Sequence, residues 1–541
     1  MKEVNFMEFR IKGNTPVVPH DRHWQFCVGS GHALLALRTD YVRQLKFIHD
    51  TLGIQRVRFH GIFDDDMRTY NDLSMMYEIP GSEAFTEYNF NACGVAYDNV
   101  LDAGMKPFVE LSFMPGKLAR KKEGETQEGR FFYKPLIVPP EDLEAWKDYI
   151  TAFLNFLIHR YGIGEIRTWF FEVWNEPDLP VAFWNGTRDE YFQLYEATVQ
   201  AIKAVDSRIQ VGGPATSNSK WVRSFLKYCG ERGLPVDFVS THQYAGDPLG
   251  GVESQGEMDE EMDFDLEAMI AGMKKAAAVL AGMENKNFLD GFRTVMPDKS
   301  ETTDIEYGVF PHNAREVRKQ AGSLPVYYTE WNENAGFSSF TNDTRKVAAY
   351  DIRAALETSG VLDGSSIWCF SDIFEELHPF PQEFHGGFGM LTQNGIPKPV
   401  YHAMKMLVDA GDERLDLGPD ATAGEIGIAA FRKGKDTQVL LFRQKMKNLD
   451  LPKERAVVHL ELPVKPAKVT ARRIDEDHGN PYRLWQEMGS PLSLNRAEVE
   501  TLKEMSDVRP EAWPFAWENG VLTLEADLGV NDVCFLEIQA E

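Results

Sequence analysis

A parallel (β/α)8 barrel with an accessory antiparallel β-sandwich, an α/β fold, is predicted by three features of this sequence. Eight short β-branched and aromatic runs alternate with longer amphipathic stretches between about residue 25 and residue 410. No glycine-rich phosphate turn follows the first run, which ranks the doubly wound sheet second. After about Gly411 the texture changes to period-two alternation broken by polar turns, the mark of a sandwich. A chain of 541 residues also exceeds what one compact core holds, so two domains are expected.

Taken in order, Val4–Lys12 alternates and is expected to lend a strand to the sandwich before the barrel begins. The barrel strands are placed at Gln25–Gly31, Arg56–Gly61, Lys106–Phe113, Thr168–Pro177, Arg208–Ala215, Phe238–Tyr244, Pro325–Trp331 and Ser365–Asp372. Helical spacing marks Tyr41–Leu52 after Thr39-Asp40, and Asp142–Tyr161, where Leu143, Trp146, Tyr149, Ile150, Phe153 and Phe156 share a face. The stretch from Ala245 to Thr303 holds glycine and acidic runs and a helix at Phe264–Ala281. In a barrel it is a βα loop on the active-site face, acting as a lid or as an interface element. Sandwich strands follow at Ile426–Phe431, Thr437–Phe442, Ala456–Leu462, Lys468–Arg473, Val521–Ala526 and Asp532–Ile538. The domains are thus 14–410 for the barrel, with 1–13 and 411–541 for the sandwich.

Composition narrows the function. Lys+Arg number 57 against 83 Asp+Glu, a net charge of −26, which repels nucleic acid and anionic membranes. The five cysteines are scattered, with no CxxC pair and no Cys/His cluster, so neither zinc nor a disulfide framework is expected. With no apolar run long enough for a membrane helix and no leader pattern at the start, the expected location is cytoplasmic.

Two segments carry chemistry. Trp169-Phe-Phe-Glu-Val-Trp-Asn-Glu-Pro-Asp178 and Val326-Tyr-Tyr-Thr-Glu-Trp-Asn332 each put a glutamate at the exit of a barrel strand, beside tryptophan and asparagine. Strict alternation would set Glu172, Trp174 and Glu176 on one side of the strand and Asn175 on the other, with Pro177 stopping the ladder. A buried carboxylate is costly unless paired or used. A salt-bridged structural glutamate is the plain alternative for one site; two such sites favour a catalytic pair. Retaining glycosidases work with two carboxyls about 5–5.5 Å apart, one protonating the leaving oxygen and the other attacking the anomeric carbon.

The strand-four Asn175-Glu176-Pro177 and strand-seven Glu330 resemble the barrel hydrolases whose catalytic carboxyls stand on those strands. Within them the chain resembles glycoside hydrolase family 39, mainly β-D-xylosidases with α-L-iduronidases as a second branch. The resemblance rests on Phe26-Cys-Val-Gly-Ser-Gly-His32, Arg58-Phe-His-Gly61, Glu110-Leu-Ser-Phe-Met-Pro115 and Phe171–Leu179. It continues through Ser240-Thr-His-Gln-Tyr244, Thr329-Glu-Trp331, Phe370-Ser-Asp-Ile-Phe-Glu-Glu376 and Phe384-His-Gly-Gly-Phe-Gly389. It implies Glu176 as acid/base and Glu330 as nucleophile, with Asn175 on the sugar 2-hydroxyl and with His242 and Tyr244 beside Glu330. It further implies His60, Phe113, Trp368 and Glu376 lining the sugar pocket, Glu376 being preferred over Glu375.

The implied activity is an exo-acting, retaining β-D-xylosidase on short xylo-oligosaccharides. Another family activity (β-galactosidase, α-L-arabinosidase, α-L-iduronidase or endo-glycosidase) and a silent sugar-binding barrel are the alternatives. No cofactor or metal is implied, and self-association into a homo-oligomer is left open. The chain departs from the resemblance in the length of the Ala245–Thr303 excursion and in Gln243, where proline is expected. Tyr244 stands where the iduronidase branch carries lysine.

Overall fold

The computed structural model describes residues 6–246, 266–284, 287–295, 308–377, 380–447 and 450–540. Eight parallel strands close the barrel: Cys27–His32, Arg56–His60, Lys106–Leu111, Phe170–Val173, Gln210–Thr216, Phe238–Gly246, Val326–Asn334 and Gly364–Ile367. Each falls on one of the eight expected runs, and the helices Thr39–Leu52 and Leu143–Tyr161 fall on theirs.

Inside the barrel the strands stack their inward side chains in layers. The lower layer is aromatic: Phe26, Phe108, Phe170, Phe238 and Tyr327 form one cluster. The Arg56 guanidinium lies 4.5 Å above Phe26 and 5.0 Å above Phe170. Two residues further along, the inward positions turn polar, Phe108 to Glu110 and Phe170 to Glu172, and Arg58, two residues after Arg56, joins them. Period-two alternation thus converts an apolar plug into a charged layer within one step of the pleat. That layer is the floor of the site.

The sandwich has a four-stranded sheet, in the order Phe6–Ile11, Glu454–Glu461, Val521–Leu528, Ala516–Glu518. Its seven-stranded partner runs Glu511–Ala512, Lys468–Ile474, Val533–Gln539, Asp436–Arg443, Ile426–Lys433, Glu413–Leu415, Val17–Pro19. The arrangement departs from expectation in three ways. Phe6–Ile11 joins the sandwich but pairs parallel with Glu454–Glu461. Val17–Pro19 pairs antiparallel with Glu413–Leu415, so the sandwich takes chain past residue 13. Two helices, Pro481–Glu487 and Arg496–Met505, interrupt the strands and dock on the barrel through Phe384 and Ile396.

In the Ala245–Thr303 excursion the expected helix runs over Leu266–Gly282, and a second follows at Phe288–Val295. The glycine and acidic runs between Asp247 and Asp265 lie outside the described residues.

Candidate active site

Arg58, from the second strand, is the centre of the charged layer and has no exposed surface. It donates to Glu172 Oε2 at 2.6 Å, Glu330 Oε1 at 2.7 Å and Asn175 Oδ1 at 2.7 Å, and lies 2.9 Å from Glu110 Oε2. Burial alone would lower the pKa of such a group. Here the carboxylates of Glu110, Glu172 and Glu330 outweigh it and push the Arg58 pKa well above its usual value. Burial also raises Glu110, but Arg58 and His60 hold that carboxyl below the ordinary glutamate range. Burial prevails at Glu172, which is raised.

The fourth strand does not carry its alternation as far as Glu176. The ladder ends at Val173, and Trp174 and Glu176 take left-handed backbone angles, φ 71° and 42°. Trp174 therefore turns outward, where its Nε1 donates to Phe183 O at 2.8 Å, while Asn175 swings inward to Arg58. This reverses the expected sides: Asn175 shares the interior with Glu172, and Trp174 leaves it. The Glu176 backbone N–H is caught by Ala215 O at 2.8 Å, which fixes the turn to the neighbouring strand. Asn175 Nδ2 has no partner among the described residues, leaving its N–H groups for a hydroxyl in the pocket.

Glu330 lies within its strand rather than at the exit. The register shifts beside it, between Tyr328 and Trp331 on one side and opposite Thr241/His242 on the other. Such irregularities re-aim side chains. Glu330 receives Arg58 on Oε1 and the Tyr244 hydroxyl on Oε2 at 2.8 Å, which sets the plane of its carboxyl.

His242 is placed differently from the expectation. Its Nδ1 is 2.9 Å from Glu176 Oε1 and 3.7 Å from Glu330 Oε2, so its hydrogen bond is to Glu176. Burial, followed by the positive charges of Arg58 and His60, drives the His242 pKa well down and keeps the ring neutral. Arg58 faces Nε2 at 3.5 Å, which assigns the proton to Nδ1 and makes His242 the donor to Glu176. One oxygen each of Glu176 and Glu330 and a His242 nitrogen all lie within 4.8 Å of one another.

His60 bridges two acids, Glu110 Oε2 at 2.7 Å and Glu376 Oε1 at 3.2 Å. Burial lowers its pKa, but Glu110, Glu376 and Glu330 together raise it to about 9. Burial pushes Glu376 up to about 8 against the opposing pull of the His60 charge. Trp368 packs on His60 with ring centroids 4.8 Å apart. Phe113 has no exposed surface and backs His60 from behind, against Trp174 and Phe183. These ring contacts make it part of the support of His60. Glu375 points to the surface in an ion pair with Arg38.

Gln243 points away from the site, accepting from Asn313 at 2.8 Å and Ser219 at 3.1 Å, and leaves His242 and Tyr244 in phase. The site thus gathers eight of the nine expected residues, with Phe113 behind His60, and adds three that sequence reasoning left unassigned: Arg58, Glu110 and Glu172. Their signal was present, since each is a charge at an inward position of a buried strand.

Among the described residues two groups have metal-ligand spacing, Glu176/His242/Glu330 and His32/Asp64/Asp66. The first is the carboxyl pair itself. In the second, His32 Nε2 is already bonded to Asp66 Oδ2 at 2.6 Å. Its Nδ1 has no acceptor among the described residues to steady the ring, unlike a ligating histidine. Neither group fits a resident metal.

Comparison with known proteins finds similar chains and a similar fold. The family model for glycosyl hydrolases family 39 matches residues 7–283 and 299–522. A β-xylosidase of Caldicellulosiruptor saccharolyticus is 35% identical over 514 residues, 94% of each chain. One of Geobacillus stearothermophilus is 34% identical, covering 96% of this chain and 93% of the relative. Among solved structures, a monomeric β-xylosidase of Caulobacter crescentus CB15 superposes with a TM-score of 0.76 at 28% identity over 99% of both chains.

Proposed function

This chain belongs to glycosyl hydrolases family 39, and from that premise we propose that it releases xylose from short xylo-oligosaccharides with retention of configuration. It is a glycoside hydrolase acting as a β-xylosidase. The observation that carries the retaining reading is the approach of Glu176 and Glu330, whose nearest oxygens lie within 4.8 Å. That is at the short, retaining end and well short of the roughly 6.5–9.5 Å that inverting enzymes keep for a water between base and sugar.

In this reading Glu330 attacks the anomeric carbon, its carboxyl held by Arg58 and Tyr244. Glu176 protonates the departing oxygen, then takes a proton from the water that releases the sugar. Neutral His242, donating to Glu176 Oε1, orients that carboxyl for the transfer. Asn175 has N–H groups to offer the 2-hydroxyl, and Glu376 can exchange hydrogen bonds with hydroxyls further round the ring. Carboxyls and water complete the chemistry without a cofactor. A cytoplasmic location fits the five buried, unpaired cysteines, which a reducing compartment leaves as thiols.

The site suits a neutral sugar. Its cations Arg58 and His60 are each paired with carboxylates, and the Tyr244 hydroxyl is used by Glu330. A uronate would need a cation or strong donors of its own. Kinetics on aryl glycosides test this. Aryl β-D-xylosides should be hydrolysed with a kcat/KM at least roughly a hundredfold above that of aryl α-L-iduronides, about 3 kcal/mol of transition-state binding. Equal rates on the two would overturn it.

A further inference from the structure

Two elements inserted far apart in sequence meet on the loop that follows the eighth barrel strand. The first is the excursion helix Phe288–Val295. Its Phe288 and Phe292 rings lie 5.7 and 5.4 Å from Phe380, and Arg293 Nε donates to Ser338 O at 2.7 Å. The second is the helical insertion of the sandwich. Its Tyr482 and Trp485 lie 5.8 and 5.6 Å from Phe384, four residues after Phe380. Phe384 is buried with Trp485, Val499 and Leu502 in a small apolar cluster of its own.

From Phe380 a line of rings runs to the sugar pocket, and His385, next in the chain to Phe384, joins it at 5.4 Å from Phe380 and 5.6 Å from Phe337. Phe380 stacks on Phe337 at 5.9 Å, and Phe337 on Phe374 at 5.4 Å. Phe374 meets Trp368 edge-on at 5.8 Å, and Trp368 lies against His60. Glu376 follows Phe374 by two residues, and its backbone oxygen is tied to Phe132 N at 2.7 Å. The ends of the loop are held polarly: Lys398 binds Asp343 at 2.7 Å, Asp372 at 2.6 Å and Gly387 O at 2.9 Å. Between those anchors Phe380 O accepts from Gln393 Nε2 at 2.9 Å and Glu383 accepts from Asn394 at 2.8 and 2.6 Å, while the aromatic side chains of the stretch pack ring on ring. Close-packed rings transmit a displacement, because a gap forfeits contact on both sides.

We propose that Phe292 and Trp485 are positioning residues, acting through Phe380 and Phe384 to hold Phe374, Trp368 and Glu376 in place around the sugar. The excursion and the sandwich insertion are then parts of the catalytic unit. This rests on the pocket assignment made above, but not on the sugar being xylose.

The test is Phe292→Ala, Trp485→Ala and the double variant, assayed on an aryl β-D-xyloside. The wall touches the sugar in ground and transition states alike, so KM should rise about tenfold in each with kcat changed less than about threefold. Phe292→Leu and Trp485→Phe should restore most of the loss. Both residues act on one loop, so the double variant should fall short of the product of the singles. Calorimetric binding of the sugar product gives the same ratio without turnover, separating this proposal from the proposed activity, which wild-type turnover tests alone. Where an alanine variant does not fold, the Leu and Phe variants carry the comparison, with KM expected about two- to threefold above wild type. Lower melting temperatures with KM and product affinity unchanged within experimental error would overturn the proposal.

Discussion

Arg58 and His60 show how much of this site is electrostatics settled by burial. Burial pulls the pKa of each down, and carboxylates from other strands more than offset it. For His60 the consequence is measurable. Its folded pKa, about 9, lies above the ordinary value of 6.5, so its ionised form stabilises the fold fully below about pH 6.5. That contribution is lost as pH rises through about 9. Glu376 acts in the same direction over a lower window, because its pKa rises from 4.5 to about 8. Urea unfolding of wild type and His60→Asn at pH 6 and pH 9.5 should show the wild-type advantage shrinking by on the order of 2–3 kcal/mol. An advantage independent of pH would show that His60 is not held as a cation. At this scale Glu176 and Glu330 were legible in sequence because a charge on a buried strand demands a use. The pairing of His242 with Glu176 was not, since it depends on a left-handed turn 66 residues away.

The elements were legible where the periodicity is local. All eight barrel strands and the two named helices could be read from apolar spacing, with ends displaced by a few residues. The fourth strand was overrun because alternation says nothing of where a backbone leaves its ladder. The helix Arg496–Met505 escaped a search for alternation, although its capping box, Asn495 with Glu498, was written in the sequence. Close packing between elements was visible only as glycine. At Gly29 a Cβ would stand 2.3 Å from the Trp368 ring, which must then move. Gly29→Ala should therefore cost about 1–3 kcal/mol of stability and raise KM for the xyloside by displacing Trp368. Thermal unfolding beside steady-state kinetics would check this; an unchanged KM would mean that Trp368 does not shape the sugar pocket.

Across the whole molecule, the barrel supplies position and the sandwich supplies support. Their boundary is blurred because pairing ignores chain distance: Phe6–Ile11 lies beside Glu454–Glu461, and Val17–Pro19 beside Glu413–Leu415. Sequence announced Val4–Lys12 and Ala456–Leu462 but neither Val17–Pro19 nor Glu413–Leu415, and no strand's partner or direction. Arg345, on the barrel, reaches Glu476 at 2.7 Å and Asp532 at 3.0 Å on the sandwich, and the inserted helices reach Phe384, so the two domains share one face. What the assembled molecule achieves is the approach of two glutamates from strands four and seven, and its chemical consequence is stereochemistry. Proton NMR in the first minutes of hydrolysis of an aryl β-D-xyloside reads it directly, before mutarotation mixes the anomers. Double displacement through Glu330 predicts β-xylose as the first-formed product; α-xylose appearing first would contradict the account.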